Sequence, residues 1–195
     1  MKTLLLITFA VVFFLTGIDR TYALPVQWSS ASGGNDHWYE VVNHGSGVSW
    51  DEAKALAESS TYLGLQGHLV TITSAAEDAF VLGFPVVGIQ TWLGGFQDPG
   101  ASSPDAGWRW VTGEAWSYTN WGPGEPNDFF GIGSEDKLGL FTYSSVNALW
   151  NDYLPNERNI QYVVEYERVP EPAVMFLLPL GLLGFAVLSR KFKVL

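Results

Sequence analysis

One stretch in the first half of the chain has the periodicity of an amphipathic helix, and it begins at a serine. Ser49 and Glu52 have the spacing of a capping box, in which each side chain satisfies a backbone amide of the other. Trp50, Ala53 and Ala57 then recur on one helical face. The pattern predicts a helix that starts after Ser49 and buries this face.

The pair Ser74 and Glu77 repeats that spacing and predicts a second helix over 75–82. Apolar and other residues alternate over Trp38–Val42, which indicates a first strand. The short run His68–Ile72 lies between a glycine and a serine and indicates another strand, with His68 in a structural role.

From Thr91 onward the chain reads as strands and turns rich in glycine and tryptophan. Trp108 and Trp110 alternate with Arg109, which places both indoles on one face of a strand. Aromatic residues more often fill interiors than contact ligands, so we expect core packing for both. A later strand is predicted over Asn147–Trp150. The fold class is therefore α+β.

The N-terminal end has the pattern of a secretory signal peptide. Lys2 precedes an apolar run from Leu4 to Leu15, and Thr21-Tyr22-Ala23 has small residues at the two positions that signal peptidase recognises. We predict a signal peptide over 1–23, a short linker over 24–37 and a domain over 38–168. The alternative is an uncleaved anchor, although the run is short for a bilayer span.

The C-terminal end combines Pro170-Glu171-Pro172, the uncharged run Ala173–Leu188 and a basic tail. Such a run predicts one transmembrane segment over 173–188 with its tail in the cytoplasm. The order over 169–195 resembles the PEP-CTERM sorting signal of Gram-negative bacteria, which implies an exosortase-type enzyme as a partner. The expected location is the cell envelope or the extracellular space, and the alternative is a plain C-terminal anchor.

Composition narrows the classes of function. Of the 20 acids, 18 lie between residues 24 and 169, against five basic residues, which makes nucleic acid an unsuitable partner. The chain has no cysteine, so a disulfide framework and a thiolate metal site are both excluded. Three scattered histidines and the absence of a nucleophile motif argue against an enzyme.

The segment from Asn120 to Asp136 has little periodicity and is rich in oxygen ligands. Long irregular segments in compact domains tend to be functional, and calcium prefers six to eight carboxylate, amide and carbonyl oxygens. The candidate ligands here are Glu125, Asn127, Asp128, Glu135 and Asp136, with Asn151 and Asp152 further along the chain. The same residue types also form turns, so chemistry alone leaves both interpretations open.

Several motifs together resemble one family, the C-type lectin domain. In chain order they are Trp50-x-x-Ala53, Gly67–Ile72, Trp92-Leu93-Gly94-Gly95, Trp108-x-Trp110, Asn120-Trp121, Glu125-Pro126-Asn127 and Trp150-Asn151-Asp152. The resemblance covers about 38–167. It implies a C-type-lectin-like fold in which two helices flank small antiparallel sheets beside a long calcium-binding loop.

The resemblance also implies a site. Glu125, Asn127, Glu135, Asn151 and Asp152 would bind one Ca²⁺, and the same five side chains would bind two vicinal hydroxyls of a sugar. Glu-Pro-Asn is the family pattern associated with mannose-type and glucose-type sugars, and its Glu-Pro peptide is expected to be cis. The implied partner is a glycan or exopolysaccharide.

Three further aspartates resemble ligands of an auxiliary calcium ion: Asp128, Asp136 and, more weakly, Asp105. The family's two disulfides would fall near Ala57 with Val164 and near Lys137 with Pro155, where this chain has no cysteine.

The spacing between the triplet and Glu135 also departs from the family pattern, because it contains the apolar stretch Phe129–Gly133. Phe129 or Phe130 is expected to line the site or to contact a protein partner. The alternative function is a lectin-like fold that mediates protein contacts or adhesion to extracellular matrix without sugar binding.

Overall fold

The computed structural model of the protein describes residues 24–84, 90–144 and 147–168. The predicted signal peptide, 1–23, and the predicted sorting segment, 169–195 with its span at 173–188, lie outside these residues. In the described ranges, no helix has the length and apolar character needed to cross a membrane.

The described residues form two α-helices and nine strands, with a 3₁₀ turn near the start. The helices are α1 (Trp50–Glu58) and α2 (Ala75–Leu82). The strands are β1 (Val26–Gln27), β2 (Trp38–Val48), β3 (Thr61–Tyr62), β4 (Leu65–Leu69), β5 (Thr91–Gln97), β6 (Trp108–Trp110), β7 (Lys137–Ser144), β8 (Asn147–Tyr153) and β9 (Asn159–Glu167).

Helix α1 begins as predicted. The Glu52 amide donates to Ser49 Oγ at 3.3 Å, and Glu52 Oε2 accepts from the Ser49 amide at 2.9 Å. These two bonds form a complete capping box and satisfy two amides that the first turn leaves without helical partners. Trp50, Ala53 and Ala57 are the buried residues of this helix.

Helix α2 has only half of its predicted capping box. Ser74 Oγ accepts from the Glu77 amide at 3.2 Å, but Glu77 Oε2 accepts from the amide of Thr73, one residue before the cap, at 2.8 Å. The other oxygen, Glu77 Oε1, accepts from the Tyr39 hydroxyl at 2.6 Å. The reciprocal bond to Ser74 was a wrong prediction because this carboxylate is buried and binds groups of the interior.

The α+β prediction is confirmed, and the strands join in one mixed sheet. The main path runs β1-β2-β9-β5-β7-β8, with β3, β4 and β6 branching from it. All strand pairs are antiparallel except β5 with β9, which are parallel. This parallel pair joins β1, β2 and β9 on one side of the sheet to β5, β7 and β8 on the other. Strand β8 carries the predicted ligands Asn151 and Asp152.

The bounds predicted for the strand His68–Ile72 were wrong, because the observed strand β4 begins and ends three residues earlier, at Leu65–Leu69. The hydrogen-bond pattern explains the difference. The Thr71 amide donates to the Glu165 side chain at 2.9 Å instead of to a neighbouring strand. Val70 and Ile72 are nevertheless fully buried, so the apolar pattern correctly indicated the core.

The segment predicted as a linker, 24–37, packs on the domain. It contributes β1, which pairs with β2, and the indole of Trp28 stacks on Phe80 of α2 with ring centroids 5.5 Å apart. The folded unit therefore begins before Trp38, because an aromatic residue upstream of it covers one side of α2.

Two hydrophobic clusters form the core. The first contains Trp110 and Trp150, and the second contains Trp92 with Ala57 and Val164. The core role predicted for Trp108 and Trp110 is confirmed, because both indoles are buried while Arg109 between them is exposed. Both clusters draw only on residues between 28 and 166, so the segment 24–168 contains the described core.

A buried ionic network lies between α2, β2 and β9. The Tyr39 hydroxyl is 2.6 Å from Glu77 Oε1 and 3.1 Å from Glu165 Oε1, and His37 Nδ1 is 2.6 Å from the same Glu165 oxygen. Both carboxylates are almost fully buried. The hydrogen bond that His37 donates to Glu165 raises the pKa of His37, and burial raises the pKa of Glu77.

This network predicts a domain that loses stability as the pH rises. A histidine whose folded pKa is raised stabilises the fold fully below its unfolded pKa of about 6.5, and this contribution disappears as the pH rises through the folded pKa. Glu77 has the same sign, because its raised pKa favours the protonated form in the folded state. We expect the unfolding free energy of His37→Gln to fall less between about pH 6 and pH 9 than that of the parent protein.

Urea unfolding at both pH values measures this change, at a fixed calcium concentration. The control is His44→Gln, since His44 contacts Ser46 and lies outside the network. Equal pH slopes in the parent protein and His37→Gln would contradict the prediction.

Candidate functional site

The start of the loop Asn120–Asp136 is hydrogen-bonded to Trp150 of β8, the residue that precedes the predicted ligands Asn151 and Asp152. The loop has no helix or strand, in agreement with the prediction, and its first residues pair with Trp150. The Trp150 amide donates to the Asn120 carbonyl at 2.8 Å, and the Gly122 amide donates to the Trp150 carbonyl at 2.8 Å. The loop therefore starts beside Asn151 and Asp152.

A second attachment holds the Glu-Pro-Asn triplet. The Asp152 carboxylate, which is 1% exposed, accepts from the Asn127 amide at 3.0 and 3.2 Å and from the Asp128 amide at 2.8 Å. The Glu125–Pro126 peptide between these attachments is cis, as expected. The backbone of the triplet is thus bound directly to the side chain of a predicted ligand.

Three predicted ligands, Glu125, Glu135 and Asn151, line one open cavity of about 370 Å³. Its other lining residues are Gln90, Phe130, Phe141, Tyr153 and Glu157. One carboxylate oxygen of Glu125 is buried. The cavity therefore brings together three carboxylates, two amides and two phenylalanine rings.

Asn127 and Asp152, the other two predicted ligands, are not among the lining residues. Asn127 is exposed, and the Asp152 carboxylate lies in the interior. Asn151 Nδ2 donates to the Asp152 carbonyl at 2.5 Å, so the Asn151 amide and this carbonyl are adjacent. A carboxylate has about four acceptor positions, so the amide bonds to Asp152 leave capacity for a cation.

Glu135 remains at the site in spite of the apolar stretch that precedes it. Burial raises the pKa of Glu135, and the negative charges of Asp152, Asp128 and Glu125 raise it further, while a hydrogen bond from the Phe129 amide opposes the shift. These charges repel one another in a partly desolvated place. A divalent cation would relieve the repulsion, and the oxygen donors are those that calcium prefers.

The three auxiliary aspartates make separate contacts. Asp128 accepts from the Gly133 and Glu135 amides at 2.9 and 3.0 Å, Asp136 pairs with Lys137 at 3.0 Å, and Asp105 accepts from the Ser103 hydroxyl at 2.6 Å.

In the part of the chain that the structure describes, no group of three or more His, Cys, Asp or Glu side chains is arranged to hold a metal ion. Two of the five predicted primary ligands, Asn127 and Asn151, belong to none of these residue types. A calcium site here therefore depends on amide as well as carboxylate oxygens.

The comparisons with known proteins agree with this architecture. No family model matches the chain. It is 33% identical over 132 residues to C-type lectin domain family 10 member A of Homo sapiens, covering 66% of this chain and 35% of that protein. It is 32% identical over 120 residues to perlucin of Haliotis laevigata, covering 60% of this chain and 72% of perlucin. The chain belongs to the C-type lectin family.

A solved structure supports the same fold. The C-type lectin CEL-I from Cucumaria echinata superposes with a TM-score of 0.56 at 22% identity, over 70% of this chain and 94% of that chain. The C-type lectins are a non-enzymatic family, in agreement with the prediction that this chain is not an enzyme. The chain spans about a third of the human relative, so the activity of that whole protein does not transfer to it.

Sequence reasoning missed several cavity residues of this C-type lectin domain, including Gln90, Phe141 and Glu157. They are members of none of the motifs and belong to no pattern that marks a site. Gly139 was a weak sequence signal of the cavity wall, since a glycine inside a strand often marks a close approach of other groups. It pairs with Asn151 across β7 and β8, and a Cβ there would lie 2.9 Å from the Tyr153 ring. A side chain at this position would therefore disturb the cavity wall.

Proposed function

We propose that this C-type lectin domain binds carbohydrate through a calcium ion held by Glu125, Asn127, Glu135, Asn151 and Asp152. The observation that carries the proposal is the convergence of Glu125, Glu135 and Asn151 on one open cavity, while the buried Asp152 carboxylate holds the backbone of the triplet. The names of two similar proteins support the same class of function, since both are called C-type lectins.

The chemistry of the donors fits such a ligand. Calcium supplies positive charge and open coordination positions, which two vicinal hydroxyls of a sugar can occupy. Carboxylates at the site accept hydrogen bonds from these hydroxyls, and the amides of Asn127 and Asn151 donate to them. Because exposed residues of the ion site would also contact the sugar, binding of the sugar depends on binding of the metal.

The Glu-Pro-Asn order suggests sugars of the mannose and glucose type. This finer specificity is part of the proposal and rests on the triplet alone. Methyl α-mannopyranoside is therefore the first probe, and methyl α-galactopyranoside is the matched comparison. The two sugars differ in the orientation of hydroxyls that the metal would bind.

Calorimetric titration of the segment 24–168 with calcium, and then with each sugar, tests the proposal. We expect calcium to bind, mannoside to bind only with calcium present, and galactoside to bind at least about tenfold more weakly. Asn127→Ala is expected to weaken mannoside binding by about tenfold or more, because it removes one polar partner in the site.

The matched control is Asn156→Ala, since Asn156 is exposed and does not line the cavity. It should bind calcium and mannoside as the parent does. Absence of calcium binding, or of glycan binding on an array in calcium, would contradict the proposal. The domain would then act in adhesion or protein contacts.

We also propose that the domain is exported and processed at both ends, with a signal peptide at 1–23 and a sorting segment at 169–195. The apolar runs and Pro170-Glu171-Pro172 support this proposal. Mass spectrometry of protein recovered from a Gram-negative host that has an exosortase should find a chain starting at Leu24 and ending near Pro170. A chain of unprocessed mass would contradict it.

A further inference from the structure

The segment from Asp128 to Glu135 contains the apolar stretch Phe129–Gly133. In most surface loops charged side chains face water and apolar ones face inward, and this segment has the reverse arrangement. Its acids point inward, with Asp128 and Glu135 no more than 9% exposed. Its large apolar residues point outward, with Phe129, Phe130 and Ile132 exposed by 77, 66 and 65%. Exposed apolar residues that cluster, rather than scatter, mark an interaction surface.

Hydrogen bonds hold the loop in this arrangement. The Gly133 and Glu135 amides donate to the two Asp128 oxygens, and the Phe129 amide donates to Glu135 Oε2 at 2.6 Å. The Phe129 and Phe130 rings meet edge to face with centroids 5.1 Å apart. The acids that organise the loop thus keep the aromatic rings at the surface.

The apolar surface continues into the cavity. Phe130 lines it together with Phe141, which is 39% exposed, and both share the cavity with Glu125, Glu135 and Asn151. A ligand bound at the carboxylates therefore has an aromatic wall beside it. A single pyranose ring can cover about one aromatic ring, whereas here the Phe129 ring packs on that of Phe130 and the exposed Ile132 follows two residues after Phe130.

We propose that the wall of Phe129, Phe130, Ile132 and Phe141 binds a hydrocarbon chain attached to the sugar, so that the preferred ligand is an alkylated or acylated sugar. This inference rests on the proposed function, because the sugar hydroxyls hold the ligand at the cation while its chain lies along the wall. Burial of apolar surface from water drives the second contact.

The test compares two mannosides by calorimetry on the segment 24–168, which contains the described core. The probes are methyl α-mannopyranoside and octyl α-mannopyranoside, with the octyl compound kept below its micelle concentration. We expect the octyl compound to bind about tenfold tighter or better, and both compounds to require calcium. In Phe130→Ser/Ile132→Ser the ratio of the two affinities should fall close to one.

Leu63→Ser is the matched control. Leu63 is 72% exposed on the β3–β4 hairpin, and no residue of that hairpin lines the cavity. It should keep the octyl-to-methyl ratio of the parent. Thermal melts verify that each variant folds, and Phe130→Leu, which keeps an apolar side chain, should retain part of the preference.

The outcomes separate the two proposals. Equal affinities for both mannosides would overturn the role of the wall while leaving the proposed function intact. Octyl mannoside binding that persists in chelator would also overturn it, because the wall would then bind apolar surfaces without the sugar. Failure of both mannosides to bind in calcium would overturn both proposals.

Discussion

Trp150→Ala is expected to cost the domain about 4 kcal/mol of unfolding free energy, which is close to the whole stability of many domains. The indole is fully buried, and its ring centroid lies within 5.8 Å of those of Trp110, Trp116, Tyr118 and Trp121. Its Nε1 also donates to Asp78 of α2 at 3.0 Å. The substitution leaves a large cavity at the point where helix, loop and sheet meet.

Urea denaturation followed by far-ultraviolet circular dichroism measures this loss. Trp150→Phe keeps an aromatic ring and should lose about 1–2 kcal/mol, through the missing hydrogen bond and the smaller ring. Trp28→Ala is the control, because Trp28 is only partly buried at the edge of the same cluster. If Trp150→Ala lost no more unfolding free energy than Trp28→Ala, the packing of the Trp150 indole would not be a main source of stability.

Asp152→Ala is expected to weaken calcium binding by at least about 100-fold. Its carboxylate holds the amides of Asn127 and Asp128 and is itself a proposed ligand. A hydrogen bond to a charged group contributes about 1.5–3 kcal/mol, and 1.4 kcal/mol is a tenfold change in affinity. Loss of two such bonds alone therefore accounts for the expected change, because the triplet is no longer held at the cavity.

Calcium titration calorimetry of Asp152→Ala measures the effect, and the melting temperature in chelator shows how much of it arises without metal. Asp51→Ala is the matched control, since Asp51 is exposed in the first turn of α1 and does not line the cavity. Parent-like calcium affinity in Asp152→Ala would remove Asp152 from the site and leave it as a structural anchor only.

Local signals in the sequence predicted the elements whose structure is determined locally. The capping box at Ser49 and Glu52 and the alternation around Arg109 depend on neighbours within four residues, and both appear as expected. The end of β4 depends instead on Glu165, almost a hundred positions away, which binds the Thr71 amide. No periodicity in the sequence reports such a contact.

In the candidate site, too, local segments were predicted correctly and contacts between distant residues were not. The motifs identified the loop and β8, and the pairing of Trp150 with Asn120 joins these two segments. The motifs placed Asp152 with the loop residues as a ligand, but they did not indicate that it accepts from the Asn127 amide, because this role depends on the path of the loop backbone. Phe141 was missed for a related reason, since only the strand register brings it to the cavity.

The positions of Ala57 and Val164 have a practical consequence. Both residues belong to one buried cluster at a position where the family usually has a covalent crosslink, and the chain has no cysteine at all. Apolar packing within this cluster does not respond to thiols or oxidants. The domain should therefore reach the same native state in a reducing cytosol as outside the cell, with equal melting curves with and without dithiothreitol.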